Sequence, residues 1–427
     1  MSKSTLFSLL FIFSAGIAFA QEEGAWTVQN IPDATRYDDV FFINKNIGWT
    51  AGGWNRTIHK TINGGETWTE AGLTGNTKYL RCIEFFDANI GLCGSLGSGP
   101  AKGSLYRTTN GGDTWTDVAP NITPQPLGIC GLAVAGPSTI YGVGIWSEPA
   151  FVIKSTDKGL TWEYINMSAY ATSLIDVYFF DADHGFVTGS IDAERGGVIL
   201  YTADGGQTWV EKFRTNHLED RIWKIQTPDQ QNFFASIESY TDETRMLRSS
   251  DAGQTWEMIT VDPEYSYIQT IGFIDPLHGW TGGDETLYET VDGGDTWEKI
   301  TLGSTYNRFF RVNNGLAYMT GRKVYKFTRD VVTGTKDPAP FDPVHHVSVS
   351  PNPTSGKAVA RITFGNATMA HVYLYNTEGK TMRKIFDGSV NAGEKIMELD
   401  LTGQGSQAYL LIVKTNEGMI STKVLKN

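Results

Sequence analysis

The chain is short of several things, and each shortage excludes something. Its 427 residues include three cysteines, Cys82, Cys93 and Cys130. A fold stapled by several disulfides is therefore excluded, and the odd count leaves at least one thiol free. Cys82 and Cys93 are spaced to face each other across one hairpin, although the sequence does not choose among the three pairings. Lysine and arginine number 35 against 47 acidic residues, a formal net charge of −12. That balance argues against nucleic acid or an anionic lipid surface as partner, since both reward basic surfaces. The seven histidines show neither His-Glu-x-x-His nor ligand-like spacing with cysteine or acid, so no metal and no cofactor are expected. His345-His346 falls in a linker and is read as incidental. No nucleophile elbow and no phosphate-cradling glycine loop occurs. Beyond the N-terminus no run approaches the roughly 20 apolar residues a spanning helix needs, so no membrane span is expected.

What is present begins with an export signal. Lys3, the apolar stretch 6–13 and the small-x-small step Ala18-Phe19-Ala20 read as a signal peptide over residues 1–20. The rest is then exported and soluble. Its 47 glycines and 12% aromatic residues suit short strands and tight turns rather than helices, and the length calls for two or more domains.

Self-similarity organises the chain. Six segments share Ser/Thr-x-Asn/Asp-x-Gly-x-Thr-Trp, the first being Thr61-Ile62-Asn63-Gly64-Gly65-Glu66-Thr67-Trp68. Their acid or amide and their tryptophan are Asn63 and Trp68, Asn110 and Trp115, Asp157 and Trp162, Asp204 and Trp209, Asp251 and Trp256, and Asp292 and Trp297. The tryptophans are 47, 47, 47, 47 and 41 residues apart, the period of a four-stranded propeller blade. Upstream of the boxes, apolar pairs lead through an Asp/Asn turn to a Gly-aromatic step, as in Phe42-Ile43-Asn44 to Gly48-Trp49, which reads as strand, turn, strand. A third strand enters the box and a fourth leaves it. After Trp297, three further strands (308–310, 316–320 and 323–328) lack a box. Ala25-Trp26-Thr27-Val28 resembles the strands that follow boxes, so the N-terminal strand completes the last blade. Six boxed blades and one composite blade predict an all-β fold, a closed seven-bladed β-propeller over 21–330, with no sheet edge left free.

The boxes are similar to the Asp-box (BNR-type) repeat of sialidases, sortilin-like receptors and xyloglucanases. The complete repeat most resembles the photosystem II stability/assembly-factor-like propellers, from Gly24 to about Asp330. The resemblance implies a fold rather than an activity. Within the box, Asp or Asn bonds backbone N–H groups further along the turn, glycine supplies positive φ, and the tryptophan covers the hairpin. Asn63 and Asn110 stand where other boxes carry Asp, a change that turn capping tolerates and a general acid does not. The boxes are therefore structural.

A site is expected on loops at the face where the inner strands begin: 53–57, 94–103, 146–149, 190–196, 239–244 and 262–267. These offer Trp54, Arg56, Lys102, Trp146, Glu148, Arg195, Tyr240, Tyr265 and Tyr267. Arg36, Arg81, Arg221 and Arg308 fall near the starts of four innermost strands and are placed to ring the channel mouth and bind an acidic partner. Arginine and aromatic side chains are favoured at binding hot spots; solvated loop ends are the plainer alternative. The leading expectation is a monomeric, non-enzymatic binding or scaffold module for an extracellular protein or glycan. The alternative is a glycoside hydrolase-like enzyme using the loop carboxylates Asp192, Glu194 and Asp242, although sequence does not set them facing each other. A sialidase is disfavoured because the Arg-Ile/Leu-Pro segment is missing.

After Asp330 the composition changes. Residues 331–346 contain Pro338, Pro340 and Pro343 and read as a linker. Alternating strands without tryptophan follow (347–350, 358–364, 371–375, 395–399, 408–414 and 420–425), which predicts a small β-sandwich over 347–427. Val349-Ser350-Pro351-Asn352-Pro353, Val372-Tyr373-Leu374-Tyr375-Asn376 before Gly379-Lys380, Ala408-Tyr409 and Lys423-Val424-Leu425-Lys426 resemble the type A sorting domain of type IX (Por) secretion. Gln407-Ala408-Tyr409 departs from that family's Gly-x-Tyr. The resemblance implies the type IX machinery as partner for residues 347–427 and a secreted or cell-surface product. Such a tail does not belong with a photosynthetic role.

Overall fold

A computed structural model of the chain describes residues 24–329 and 344–427, apart from 74, 98–101, 145–148, 192–195, 241–242, 365–367, 377–380 and 416–418. Seven four-stranded antiparallel sheets form the propeller. Blades 1 to 6 span residues 37–70, 79–117, 131–166, 173–214, 221–262 and 268–300 in simple up-and-down order. Blade 7 is composite, as expected. Its strands Arg308–Asn313, Leu316–Thr320 and Val324–Thr328 take Ala25–Val28 as the outer strand, with Trp26 opposite Phe327. The Trp26 ring meets Trp280 of blade 6 edge-on, with centroids 5.1 Å apart.

Aromatic stacking joins the blades. Trp49 of blade 1 stacks on Phe85 of blade 2, Tyr141 on Phe179, Phe234 on Phe273 and Tyr318 on Phe42, with centroids 3.4–3.7 Å apart. Box tryptophans Trp68, Trp115 and Trp297 close on Phe42, Phe85 and Phe273 of their own blades from the side. This explains the glycine before the aromatic in the upstream pattern. A Cβ on Gly48, Gly91, Gly185 or Gly279 would come within 2.4–2.5 Å of that phenylalanine ring. The Asp/Asn in the intervening turn caps it: Asp87 Oδ1 accepts from the N–H groups of Asn89 and Ile90, as Asn44, Asp181 and Asp275 do in their blades.

The boxes are closed hydrogen-bonded turns. In blade 4 the Thr202 hydroxyl donates to Asp204 Oδ1, which also accepts from Thr208 N, while Thr208 Oγ1 donates to Oδ2 at 2.6 Å. Asn63 keeps the same turn by donating from Nδ2 to Thr67 Oγ1. Trp209 Nε1 returns a bond to Gly206 O.

Around the channel, side chains of inner strands tie neighbouring blades together. Asp39 accepts from Ile83 N, Glu84 from Val134 N, Asp176 from Ile225 N and Gln226 from Phe273 N, and Arg311 Nε donates to Ile274 O. All three cysteines are buried free thiols. Cys93 pairs in register with Ile83 and Cys82 with Gly94, so the two do not face each other across their hairpin.

The C-terminal region forms two sheets. One holds Val344–Ser350, Lys357–Phe364 and Gly393–Asp400, and the other Thr381–Val390, Thr368–Asn376, Ala408–Thr415 and Met419–Leu425. Alternate residues Ala360, Ile362, Phe364, Val372, Leu374, Leu411 and Val413 make a common core, the sandwich expected from the alternation. Two details differ. The first strand begins at Val344, inside the stretch read as linker, and Thr381–Val390 adds a seventh strand whose charged residues mask its period. Residues 330–343 lie outside the described residues.

Candidate binding site at the channel mouth

The innermost strands carry the channel side chains, and β-bulges decide which ones. Register shifts fall between Tyr37 and Asp39, Leu80 and Cys82, Ile222 and Lys224, and Ile268 and Thr270. A bulge sets two residues opposite one and re-aims a side chain. Consecutive residues therefore both serve the channel. Asp38 binds Arg36 and Arg81 while Asp39 binds Arg308, and Trp223 faces Arg81 while Lys224 reaches Asp176.

Two layers result. Deep in the channel, Arg308 of blade 7 crosses to Asp176 of blade 4, donating to both carboxylate oxygens at 3.0 Å. Lys224 adds a contact to Asp176 at 3.3 Å, and Arg308 one to Asp39 at 3.3 Å. Burial alone would raise the Asp176 carboxyl, but Arg308 and Lys224 hold it below its usual range. Glu84, half-buried, is pushed up to about 8 by desolvation and then by Asp39. Nearer the mouth, Arg81, 3% exposed, binds Asp38 and lies over the Trp223 ring of blade 5 at 5.1 Å.

Above this floor is a cavity of about 280 Å³ lined by Arg36, Tyr79, Arg81, Arg221, Trp223, Glu238, Tyr240, Tyr267 and Gln269. Five of the predicted binding residues, Arg36, Arg81, Arg221, Tyr240 and Tyr267, thus converge. Glu238 is held at the wall by Arg221 Nη1 at 3.3 Å, Tyr240 OH at 3.1 Å, Tyr267 OH at 2.8 Å and Gln269 Nε2. Gln269 Oε1 in turn accepts from Arg36. Burial and then Glu238 push the Tyr267 phenol far above its ordinary value, so it is a fixed donor rather than a ready nucleophile.

The other expected residues divide three ways. Trp54 stands at the rim, 60% exposed and edge-on to Tyr79 at 4.9 Å, and Tyr265 is also exposed. Arg308 is a correction, because it plugs the channel beneath the cavity rather than ringing its mouth. Arg56 and Lys102 are exposed and do not line the cavity, and Arg56 occupies a turn at φ 61°. Trp146, Glu148, Asp192, Glu194, Arg195 and Asp242 lie outside the described residues. Sequence reading missed Tyr79, Trp223, Glu238 and Gln269. A signal for three of them was available: each lies two residues from a chosen position (Arg81, Arg221 and Tyr267) on an inner strand.

Fold and box turns together define a seven-bladed, Asp-box β-propeller. Residues 153–266 match a family described as photosynthesis system II assembly factor YCF48. Among solved structures, YCF48 bound to D1 peptide is similar at 17% identity and TM-score 0.55, covering 72% of this chain and 95% of that one. YCF48 from Cyanidioschyzon merolae is similar at 19% identity and TM-score 0.55, covering 71% and 99%. The GH74 xyloglucanase from Xanthomonas campestris is similar at 10% identity and TM-score 0.54, covering 94% and 75%. These likenesses establish the fold. No curated protein matches the sequence.

Proposed function

We propose that this is an exported, non-catalytic binding propeller that receives an acidic group of an extracellular protein or glycan at the channel mouth. The observation that carries the reading is the convergence of Arg36, Arg81 and Arg221 with Tyr79, Tyr240, Tyr267 and Trp223 in one cavity. Its chemistry is that of a hot spot, with aromatic faces for contact area and guanidinium groups for anions. Among the described residues the cavity's one lining carboxylate is Glu238, which is paired with Arg221 and accepts hydrogen bonds from Tyr240, Tyr267 and Gln269, so these residues offer no pair of free facing carboxylates to a glycosidic bond. The C-terminal sandwich serves export through the type IX machinery, and residues 1–20 serve export across the inner membrane. YCF48 with its D1 peptide is a peptide-binding propeller of this fold, whereas the xyloglucanase is an enzyme, so the fold leaves the choice to the site.

A glycan and peptide binding screen on the full chain, run beside a hydrolysis screen, tests the proposal. Binding without turnover that is lost on Arg221→Glu is the expected result. Turnover abolished by Asp192→Asn or Glu194→Gln would overturn it in favour of the hydrolase reading.

A further inference from the structure

We infer that the cavity holds the end of an acidic glycan, a terminal uronic acid residue that enters from the mouth and stops against Arg81 and Trp223. This rests on the binding reading above and narrows its ligand.

Charge comes first. The chain carries a net −12, yet two of the cavity's three arginines keep part of their side chains exposed while its acids are buried. The side chains of Arg36 and Arg221 are 20% and 29% exposed, whereas those of Asp38 and Glu238 are 0% and 1% exposed. Arg221 engages Glu238 and Tyr240 through Nη1. Among the described residues no hydrogen bond occupies its Nε or Nη2. Those two donors form the parallel edge that matches a carboxylate bidentately.

Shape comes second. Arg81 over Trp223 joins blades 2 and 5 across the channel, and Arg308 to Asp176 joins blades 7 and 4 beneath them. A polymer cannot thread this floor, so it presents an end.

The third argument separates sugar from peptide. An extended peptide gains most from a free strand edge. Here each inner strand is the edge of its blade, but Asp39, Asp176 and Gln226 of the neighbouring blade take the free N–H groups of Ile83, Ile225 and Phe273. What remains is side-chain surface: the faces of Tyr79, Trp223 and Tyr240, with Trp54 at the rim. Aromatic rings with a polar handle suit a pyranose, which has an apolar C–H face and a hydroxyl edge.

The test is calorimetric titration of the full chain with oligogalacturonides and oligoglucuronides of three and six units, their methyl esters, a sulfated neutral trisaccharide, and a peptide with a free C-terminal carboxylate. The expected result is equal molar affinity for three and six units. It should fall about tenfold or more on esterification or on Arg221→Lys, the scale of one charge-assisted hydrogen-bond pair. Trp54→Ala, at an exposed position, should weaken binding without moving the melting temperature, which separates ligand contact from misfolding. Affinity that climbs with chain length, survives esterification, or goes to the sulfated sugar instead would overturn the uronate end. Peptide binding that is lost on Arg221→Lys, without uronide binding, would overturn the glycan and leave the cavity. Loss of no ligand in either variant would overturn both.

Discussion

The outer turns of the blades and the mouth of the channel treat charge in opposite ways. Each Asp-box satisfies its acid or amide locally, within four residues, and does so again in blade after blade. At the channel, four of six ion pairs join different blades: Asp38 with Arg81, Asp176 with Lys224 and with Arg308, and Asp39 with Arg308, whereas Arg36 with Asp38 and Arg221 with Glu238 are local. No two blades contribute the same residue pair. A feature that repeats serves what every blade shares, which is folding. A feature that differs in every blade is free to specify a ligand, and it is also where the ring depends on all its parts.

The contrast is open to attack at several points, the channel being the most severe. Asp176→Ala leaves Lys224 buried and Arg308 half-buried without their shared counter-ion, and breaking a buried pair typically costs about 3–5 kcal/mol. Urea denaturation should show that loss. Replacing Trp26 by Ala removes the ring that joins the N-terminal strand to Trp280, Phe309 and Phe327. The position is half-buried, so a smaller cost of about 2 kcal/mol is expected, with faster proteolysis of the strand Ala25–Val28. Arg221→Lys keeps the charge and removes the fork, so stability should hold while affinity for an acidic ligand falls about tenfold.

The boxes should give the smallest effect, and one that depends on acid. The Thr208 hydroxyl and backbone N–H hold Asp204 down to about 2, and Thr255 does the same for Asp251. A carboxyl with a depressed native value stabilises the fold above its unfolded value near 4. That contribution is lost as pH falls from about 4 through 2. Asn63 and Asn110 do not titrate, so blades 1 and 2 should keep their box turns in acid while blades 4 and 5 loosen. Hydrogen exchange at Thr67 and Thr208 across pH 2–5 reads this directly. Asp204→Asn should cost a little stability at neutral pH, where the carboxylate contributes, and should remove the acid response in blade 4.

Much of this fold was legible because its causes are local. The box, the Gly-aromatic step and the blade period each arise from contacts within one repeat, and Trp26 declared itself by resembling the strands after the boxes. The channel was only half legible. Arg36, Arg81, Arg221, Tyr240 and Tyr267 stand out by type and by their place at strand starts or in the connecting loops. The bulges at Asp38, Arg81, Trp223 and Gln269 have no sequence signature, and without them strict alternation sets Trp223 with Arg221 and hides Lys224. Arg308 looked like its counterparts in other blades. What sends it downward is Asp176, 132 residues earlier and on the opposite side of the ring. Pairing across a closed ring is invisible to any local reading. In the sandwich, Thr381–Val390 was missed because Arg383, Lys384 and Asp387 interrupt its alternation.

Titration of trigalacturonic acid into the parent chain, Arg221→Lys and Asp204→Asn tests the division most directly. Binding by the parent chain, a loss of about tenfold in Arg221→Lys, and no change in Asp204→Asn is the predicted result. Binding that fails in Asp204→Asn while surviving in Arg221→Lys would put the site at the repeated turns and contradict the account.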